Sequence, residues 1–309
     1  MQDYCTILGL PLQAGTGRGG CLMGPDAFRT AGLAEVITDQ GFKLIDLGNL
    51  SFPTHIPNIS GPAHLKKLPE IVAWTLDIQR QASKLVTENN FPIFIGGDHS
   101  MAAGTLTGVA QAAVAMNRPQ FVLWLDAHPD MNTLTSTLSG HLHGTPMAYA
   151  LGMPTFENIF PTVPMPLNPA NVCMIGLRSV DDAERQFIRD LGMDVYDMRR
   201  IDEVGVVKPM SDFLERVATE SGLLHVSFDV DFLDPEIAPG VGTTVPGGAS
   251  FREAHLIMEM LHDSGLVNSL ALTELNPFLD IRGKTATLMC DLTASLLGRK
   301  VLDRRTRGL

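Results

Sequence analysis

Three apolar runs that each stop abruptly in acid constrain this chain more than anything else in it. The run FVLWL at 121–125 reads as a strand with both faces covered, as in a parallel sheet, and Asp126, His128 and Asp130 follow at once. An extended backbone would turn these three side chains to one side, just beyond the strand end. The segment LLHVSFDVDFLDP at 223–235 repeats the design with Asp229 and Asp231, and FPIFIGGDHS at 91–100 delivers Asp98 and His99 beyond a glycine pair. Carboxylates and imidazoles this close repel or desolvate one another unless a cation lies between them. With His99, Asp126, His128, Asp130, Asp229 and Asp231 as ligands, four carboxylates are balanced by two divalent ions. Oxygen-rich donors with imidazole and no thiolate suit manganese, iron, cobalt or nickel better than copper, manganese first. A largely carboxylate site also suits a pair of ions about 3.5 to 4 Å apart.

Taken in order, the chain alternates strand and helix. Strands are expected at 4–10, 43–47, 92–95, from Phe121, at 172–175, 194–196, 223–228 and 270–275. Helices are expected from Gly24 and Pro25 and at 69–87, 101–116, 182–191, 211–220, 251–262 and 285–297, with a short one after Gly144 and a long loop over 48–68. That alternation demands parallel strands with helical crossovers, and active residues at the carboxyl ends of strands. The pattern by itself leaves open a closed eight-stranded barrel or an open doubly wound sheet. With no internal repeat or linker, residues 1–309 read as a single domain with a basic tail over 299–309, where Arg299, Lys300, Arg304, Arg305 and Arg307 cluster.

The formal net charge of −11 disfavours nucleic acid and anionic membranes as partners and mildly favours a cationic substrate. No apolar stretch approaches the roughly 18 residues of a membrane span, and the short apolar run near the N-terminus lacks a basic region before it, so a soluble, cytoplasmic protein is expected. Cys5, Cys21, Cys173 and Cys290 are too scattered for a disulfide framework or a zinc ribbon.

Several motifs compete with their bland readings. GTGRGG at 15–20 formally matches the dinucleotide fingerprint G-x-G-x-x-G, and Asp46 stands where a ribose would want an acid. A true fingerprint opens its helix at the glycines, whereas Pro25 sets a later start here, so a flexible wall beside the site is the better reading. His141 and His143 flank Leu142 close after Asp130, which makes His143 a candidate proton carrier. His55, His64, His225, His255 and His262 lack such company and read as structural. Glu274 in ALTELNP either holds a cationic substrate head or caps the turn at Asn276 and Pro277.

With those residues in view, the chain resembles the ureohydrolase (arginase and agmatinase) family, its bacterial arginase branch most. The resemblance runs through GGDHS, DAHPDMNT, SGHLHG, IGLRSVD, SFDVDFLDP, PGVGTTVPGG, ELNP and FLDIRGKTA, nearly the whole length. It implies a three-layer α/β/α fold around a central eight-stranded, mostly parallel open sheet. It also implies two Mn2+ per chain, with Asp126 and Asp229 bridging, His99 and Asp130 on one ion, and His128 and Asp231 on the other. The implied chemistry is hydroxide attack on the guanidinium of L-arginine to give L-ornithine and urea, in arginine metabolism of the urea-cycle type. Asp130 would orient the nucleophile, Glu274 would hold the guanidinium, and His143 would move protons. The family's substrate contacts map onto Asn132, Thr137 and Ser139 for the carboxylate and Asp181 with Glu184 for the amino group. Agmatine, 4-guanidinobutyrate or another guanidino acid is the alternative substrate. The resemblance also implies a homotrimer or homohexamer. The chain departs from the family pattern at His141, where Asn is common, at Thr244, where Pro is usual, and at Phe232, where Gly is common.

Overall fold

In the computed structural model, which describes residues 4–88 and 90–300, all eight apolar runs form strands of one parallel sheet. They are β1 (Tyr4–Leu10), β2 (Lys43–Asn49), β3 (Phe91–Gly96), β4 (Gln120–Leu125), β5 (Val172–Leu177), β6 (Asp194–Asp197), β7 (Leu223–Asp229) and β8 (Val267–Thr273). The spatial order is β2-β1-β3-β8-β7-β4-β5-β6, so the sheet is open, with β2 and β6 at its edges. The edges show it in their sequences. Lys43, Ile45 and Leu47 of β2 are exposed, whereas every residue of β3, β4 and β7 is buried.

Period-two alternation divides the core between the two faces. Ile7, Ile93, Ile95 and Leu123 pack with Phe28 of α1 (Gly24–Thr30), Leu33 of α2 (Leu33–Asp39), and residues of α7 (Met198–Val204), α8 (Val207–Thr219), α9 (Phe251–Ser264) and α10 (Lys284–Leu296). Leu8, Leu10, Phe94 and Trp124 face α3 (Leu68–Thr87), α4 (Met101–Met116), α5 (Pro146–Ala150) and α6 (Asp182–Leu191). The result is the three-layer α/β/α arrangement expected. α3 and α4 approach closely because α4 carries Gly104 and Gly108. A Cβ on Gly104 would come within 2.5 Å of the Ile78 Cβ, and one on Gly108 within 2.6 Å of the Ala82 Cβ.

Differences from the sequence reading are local. β8 runs over Val267–Thr273 rather than 270–275, which leaves Glu274 just outside it in a left-handed conformation, φ 64°. One helix, α7, was not expected, and α8 begins at Val207 because Pro209 fits the first turn of a helix. Gly32, at φ 93°, separates α1 from α2. Of the basic tail, Arg299 pairs with Asp291 and Lys300 lies 2.7 Å from Asp263; Arg304, Arg305 and Arg307 fall outside the described residues.

His225 on β7 is wholly buried, with Nδ1 2.7 Å from the Ser269 Oγ. Burial, helped by the nearby His99, lowers its pKa from 6.5 to about 3. Since the folded pKa lies below the unfolded one, the unfolded chain takes the proton first. The stability this group contributes is full above about pH 6.5 and is lost as pH falls toward 3, at about 1.4 kcal/mol per unit. Urea melts of metal-free protein at pH 7 and pH 5 should show a His225→Asn variant losing about 2 kcal/mol less than wild type over that interval. Equal losses in the two proteins would mean that His225 does not resist protonation.

Candidate metal centre

The four central strands β3, β8, β7 and β4 lie side by side, and their carboxyl ends bring together residues far apart in sequence. Asp98 and His99 follow β3, Glu274 follows β8, Asp229 ends β7 and Asp126 follows β4. His99 Nδ1 lies 2.9 Å from an oxygen of Asp229, 3.0 Å from one of Asp126 and 3.1 Å from one of Asp130. His128 Nδ1 lies 3.0 Å from Asp231 and 3.5 Å from the other oxygen of Asp126. Two clusters therefore share Asp126, one oxygen turned toward each, and both have the donor types and spacing of metal sites.

The alternation in DAHPD does not work through an extended backbone. Each strand end closes in a side-chain turn, the aspartate accepting from the N–H two residues on. These are His128 N to Asp126 (2.6 Å), Asp231 N to Asp229 (2.8 Å) and Ser100 N to Asp98 (2.9 Å). Asp130 then lies in the left-handed region, φ 49°. Asp229 therefore spends one oxygen on backbone and turns the other to His99, whereas in Asp126 the oxygen that accepts from His128 N is also the one facing the His128 ring, the other being turned to His99. Asp231 accepts from Ala127 N on one oxygen (3.0 Å) and from the Thr243 hydroxyl on the other (3.0 Å), the oxygen that also faces His128.

Asp98 is not one of the cluster. Its carboxylate accepts from Gly15 N at 2.8 Å and from Ser100, so it fastens the glycine-rich loop, whose Gly15 carbonyl accepts from His143 N at 3.2 Å. That loop leads only into a 3-10 turn at Cys21–Met23, and α1 begins later, at Gly24. Asp46, the acid of the dinucleotide reading, is paired with Arg29 at 2.8 Å.

Electrostatics tests whether cations belong here. Burial, then the charges of Asp231 and Asp130, push Asp126 up to about 6, and burial with Asp231 and Asp126 raises Asp229 well above the ordinary carboxylate range. Burial alone would lower both histidines, yet the carboxylates around them hold His99 well above 6.5 and His128 up to about 12. The cluster thus recruits protons to positions where its donors converge. His99 Nδ1 and Asp126 Oδ2 are buried and 3.0 Å apart, but neither has a hydrogen bond of good geometry. Lone pairs brought together in this way fit a divalent cation better than a proton.

The supporting shell escaped sequence reading. His99 stacks on Trp124, ring centroids 4.2 Å apart and planes 3° from parallel, and its Nε2 is 2.9 Å from the Ser227 Oγ. A ring nitrogen bonded on the far side orients the other one, a common device for metal-ligating histidines. Trp124 also donates to the His128 carbonyl at 3.1 Å. Arg178 donates to the carbonyls of Asp231 (2.6 Å) and Val245 (2.7 Å), pinning the loop that carries Asp231. Phe232 is accommodated because a Cβ on Gly176 would come within 2.4 Å of its ring. Only Ser227 had a legible signal, two residues before Asp229 on the same strand face.

Above the clusters opens a cavity of about 340 Å³ lined by Asn132, Thr137, Ser139, Asp181, Glu184 and Glu274 among others. Glu274 accepts from His99 N and from His143 Nδ1, both at 2.9 Å, and Cys21 Sγ approaches its other oxygen at 3.6 Å. It does not cap the following turn; Asn276 does, accepting from Phe278 N at 3.1 Å. Burial would lower His143, but Glu274 raises it to about 9. Asn132 donates to Asp181 at 2.9 Å, and Glu184 spends its oxygens on Met131 N and Asp181 N, both 2.9 Å. Thr244, one of the departures from the family pattern, is exposed.

Wild-type protein should bind about two divalent ions per chain after loading and dialysis, counted by atomic emission, and should melt higher with them than after chelation. His128→Asn should retain about one, and Asp126→Asn should weaken both. Full retention of two ions by Asp126→Asn would separate the clusters.

The model of the arginase family matches residues 3–298. The arginase of Brucella suis is 60% identical over 304 residues, covering 98% of this chain and 99% of its own. Among solved structures, the native arginase of Bacillus caldovelox superposes with a TM-score of 0.87 at 37% identity, over 97% of this chain and 100% of that one. The Entamoeba histolytica arginase, solved in complex with L-ornithine, gives 0.85 at 28% identity over 96% and 99%. The expected resemblance is thereby met across nearly the full length, and the chain belongs to the arginase family.

Proposed function

We propose that this chain hydrolyses the guanidinium of L-arginine to L-ornithine and urea, with two manganese ions as its cofactor. The observation that carries the reading is the pair of clusters sharing Asp126 on the floor of an acidic cavity, with Glu274 beside them. His99 and Asp130 would hold one ion and His128 and Asp231 the other, with Asp126 and Asp229 between. Bound there, the ions would make a water nucleophilic near neutral pH and stabilise the negative charge that develops on attack.

The chain's own side chains supply the rest. Glu274, held by His99 N and His143, offers its carboxylate to the planar guanidinium through charge-assisted hydrogen bonds. Asp130 projects into the floor, 3.1 Å from His99, where it can orient the attacking water. His143 holds a proton on the Glu274 side and can pass it to the leaving amine. In the outer half of the cavity, Asn132, Thr137 and Ser139 offer donors to an α-carboxylate and Asp181 an acceptor to an α-amino group, with Glu184 keeping Asp181 in place. Homology to arginases named as such supports arginine over agmatine. For assembly and location we infer homotrimers or homohexamers in the cytoplasm, on family grounds; no helix among the described residues is long and apolar enough to cross a membrane.

Urea release measured side by side on L-arginine, agmatine and 4-guanidinobutyrate tests the reading. Arginine should be the preferred substrate. Glu274→Gln should lower kcat/KM for it at least about 100-fold, since the buried guanidinium loses its counter-charge. Urea from agmatine or 4-guanidinobutyrate alone would keep the chemistry and overturn the substrate.

A further inference from the structure

Glu274, which receives the guanidinium in the proposed reaction, is gripped unequally. Its Oε1 accepts from both His99 N and His143 Nδ1 at 2.9 Å. Among the described residues no N–H or O–H donates to Oε2, and the group beside that oxygen is a thiol. Cys21 Sγ lies 3.6 Å from Oε2 and 3.9 Å from the Glu274 carbonyl oxygen, and both residues are 1% exposed.

Cys21 comes there because the glycine-rich segment is fastened to the ends of β3 and β8. Gly15 N donates to Asp98 at 2.8 Å, and Gly20 N donates to Gln13 Oε1 at 3.1 Å. Asn276, two residues past Glu274, donates from its side-chain amide to the Gly19 carbonyl at 3.1 Å. A Cβ on Gly20 would strike that same amide, and one on Gly24 would strike the carbonyls of Gly96 and Leu275. Between these two close approaches the turn Cys21–Met23 buries Cys21 and leaves Leu22 and Met23 exposed.

Burial first, then the charges of Glu274 and Asp98, push the Cys21 thiol well above its ordinary pKa, so it keeps its proton and can donate. Of its two acceptors the nearer is the charged one, which makes the stronger bond. Two donors on Oε1 leave the carboxylate able to rock about that oxygen, and a third on Oε2 sets its plane. Because S–H is a weak donor, it can fix the direction of Oε2 and leave there most of the charge that a guanidinium needs.

We propose that Cys21 is a positioning residue, its thiol donating to Glu274 Oε2 and setting the plane in which the carboxylate meets the planar guanidinium. The proposal rests on Glu274 receiving that guanidinium. It also gives the glycine-rich segment, which only formally matched a nucleotide motif, the task of carrying the thiol to the carboxylate.

The S–H stretch, read by infrared difference spectroscopy on metal-loaded protein, tests the contact without turnover. The component lost in Cys21→Ser should lie below that of Cys290, whose Sγ is 3.6 Å from a neutral acceptor, the Phe28 carbonyl. In Glu274→Gln the Cys21 component should move up. In turnover, Cys21→Ala should lower kcat for L-arginine about tenfold with a smaller change in KM and the ion content of wild type, since a turned carboxylate still binds the guanidinium but presents it badly. Cys21→Ser, which keeps a donor, should recover most of that loss. A Cys21 component no lower than that of Cys290, one unmoved by Glu274→Gln, or equal kcat losses in Cys21→Ala and Cys21→Ser would overturn the proposal. Absence of urea from wild type given L-arginine would instead strike the proposed function, while the S–H component would still decide whether the thiol holds Glu274.

Discussion

The mutual repulsion of four buried aspartates is the constraint on which the rest of this structure depends. Asp126, Asp130, Asp229 and Asp231 are nearly excluded from water, and only His99 and His128 stand between them. Burying uncompensated charge is among the most expensive things a fold can do, and imidazolium protons are a partial remedy. The chain limits the cost by giving three of the four carboxylates a backbone N–H to accept from, which reduces the charge left to be neutralised. What remains is a set of inward-pointing lone pairs suited to two divalent ions.

A parallel sheet is the scaffold that makes this arrangement possible. All its strands end on the same edge, so the residues after β3, β4, β7 and β8 can converge on one place. Precision comes from the layer behind. Trp124 and Ser227 hold His99 by its face and its far nitrogen, Arg178 pins the Asp231 loop, and Asp98 fastens the loop supporting His143. Two of the site's carboxylates, Asp130 and Glu274, are also held in left-handed backbone conformations that such residues seldom take. A carboxylate whose direction matters justifies such a conformation.

Much of this was legible in the sequence because two periodicities were strong. Apolar runs of five or six residues marked the buried strands, and acids spaced by two marked their ends. The open sheet was not legible from pattern alone, because a barrel and a doubly wound sheet share the same alternation; the family resemblance decided it. α7 escaped because it is short and polar, with only Ile201 buried in its seven residues. The turns at Asp126 and Asp229 were misread as extended chain because alternation of residue types cannot distinguish a strand from a side-chain turn. Trp124 looked like core, and is; its second role as a platform for His99 exists only in three dimensions.

Asp126, with one oxygen toward each histidine, joins the two clusters into one centre. Electron paramagnetic resonance of the protein loaded with two manganese ions per chain tests it most directly. Wild-type protein should give the many-line spectrum of two exchange-coupled ions, collapsing toward the six-line pattern of an isolated ion when Asp126→Asn is loaded in the same way. A six-line spectrum from fully loaded wild-type protein would contradict it.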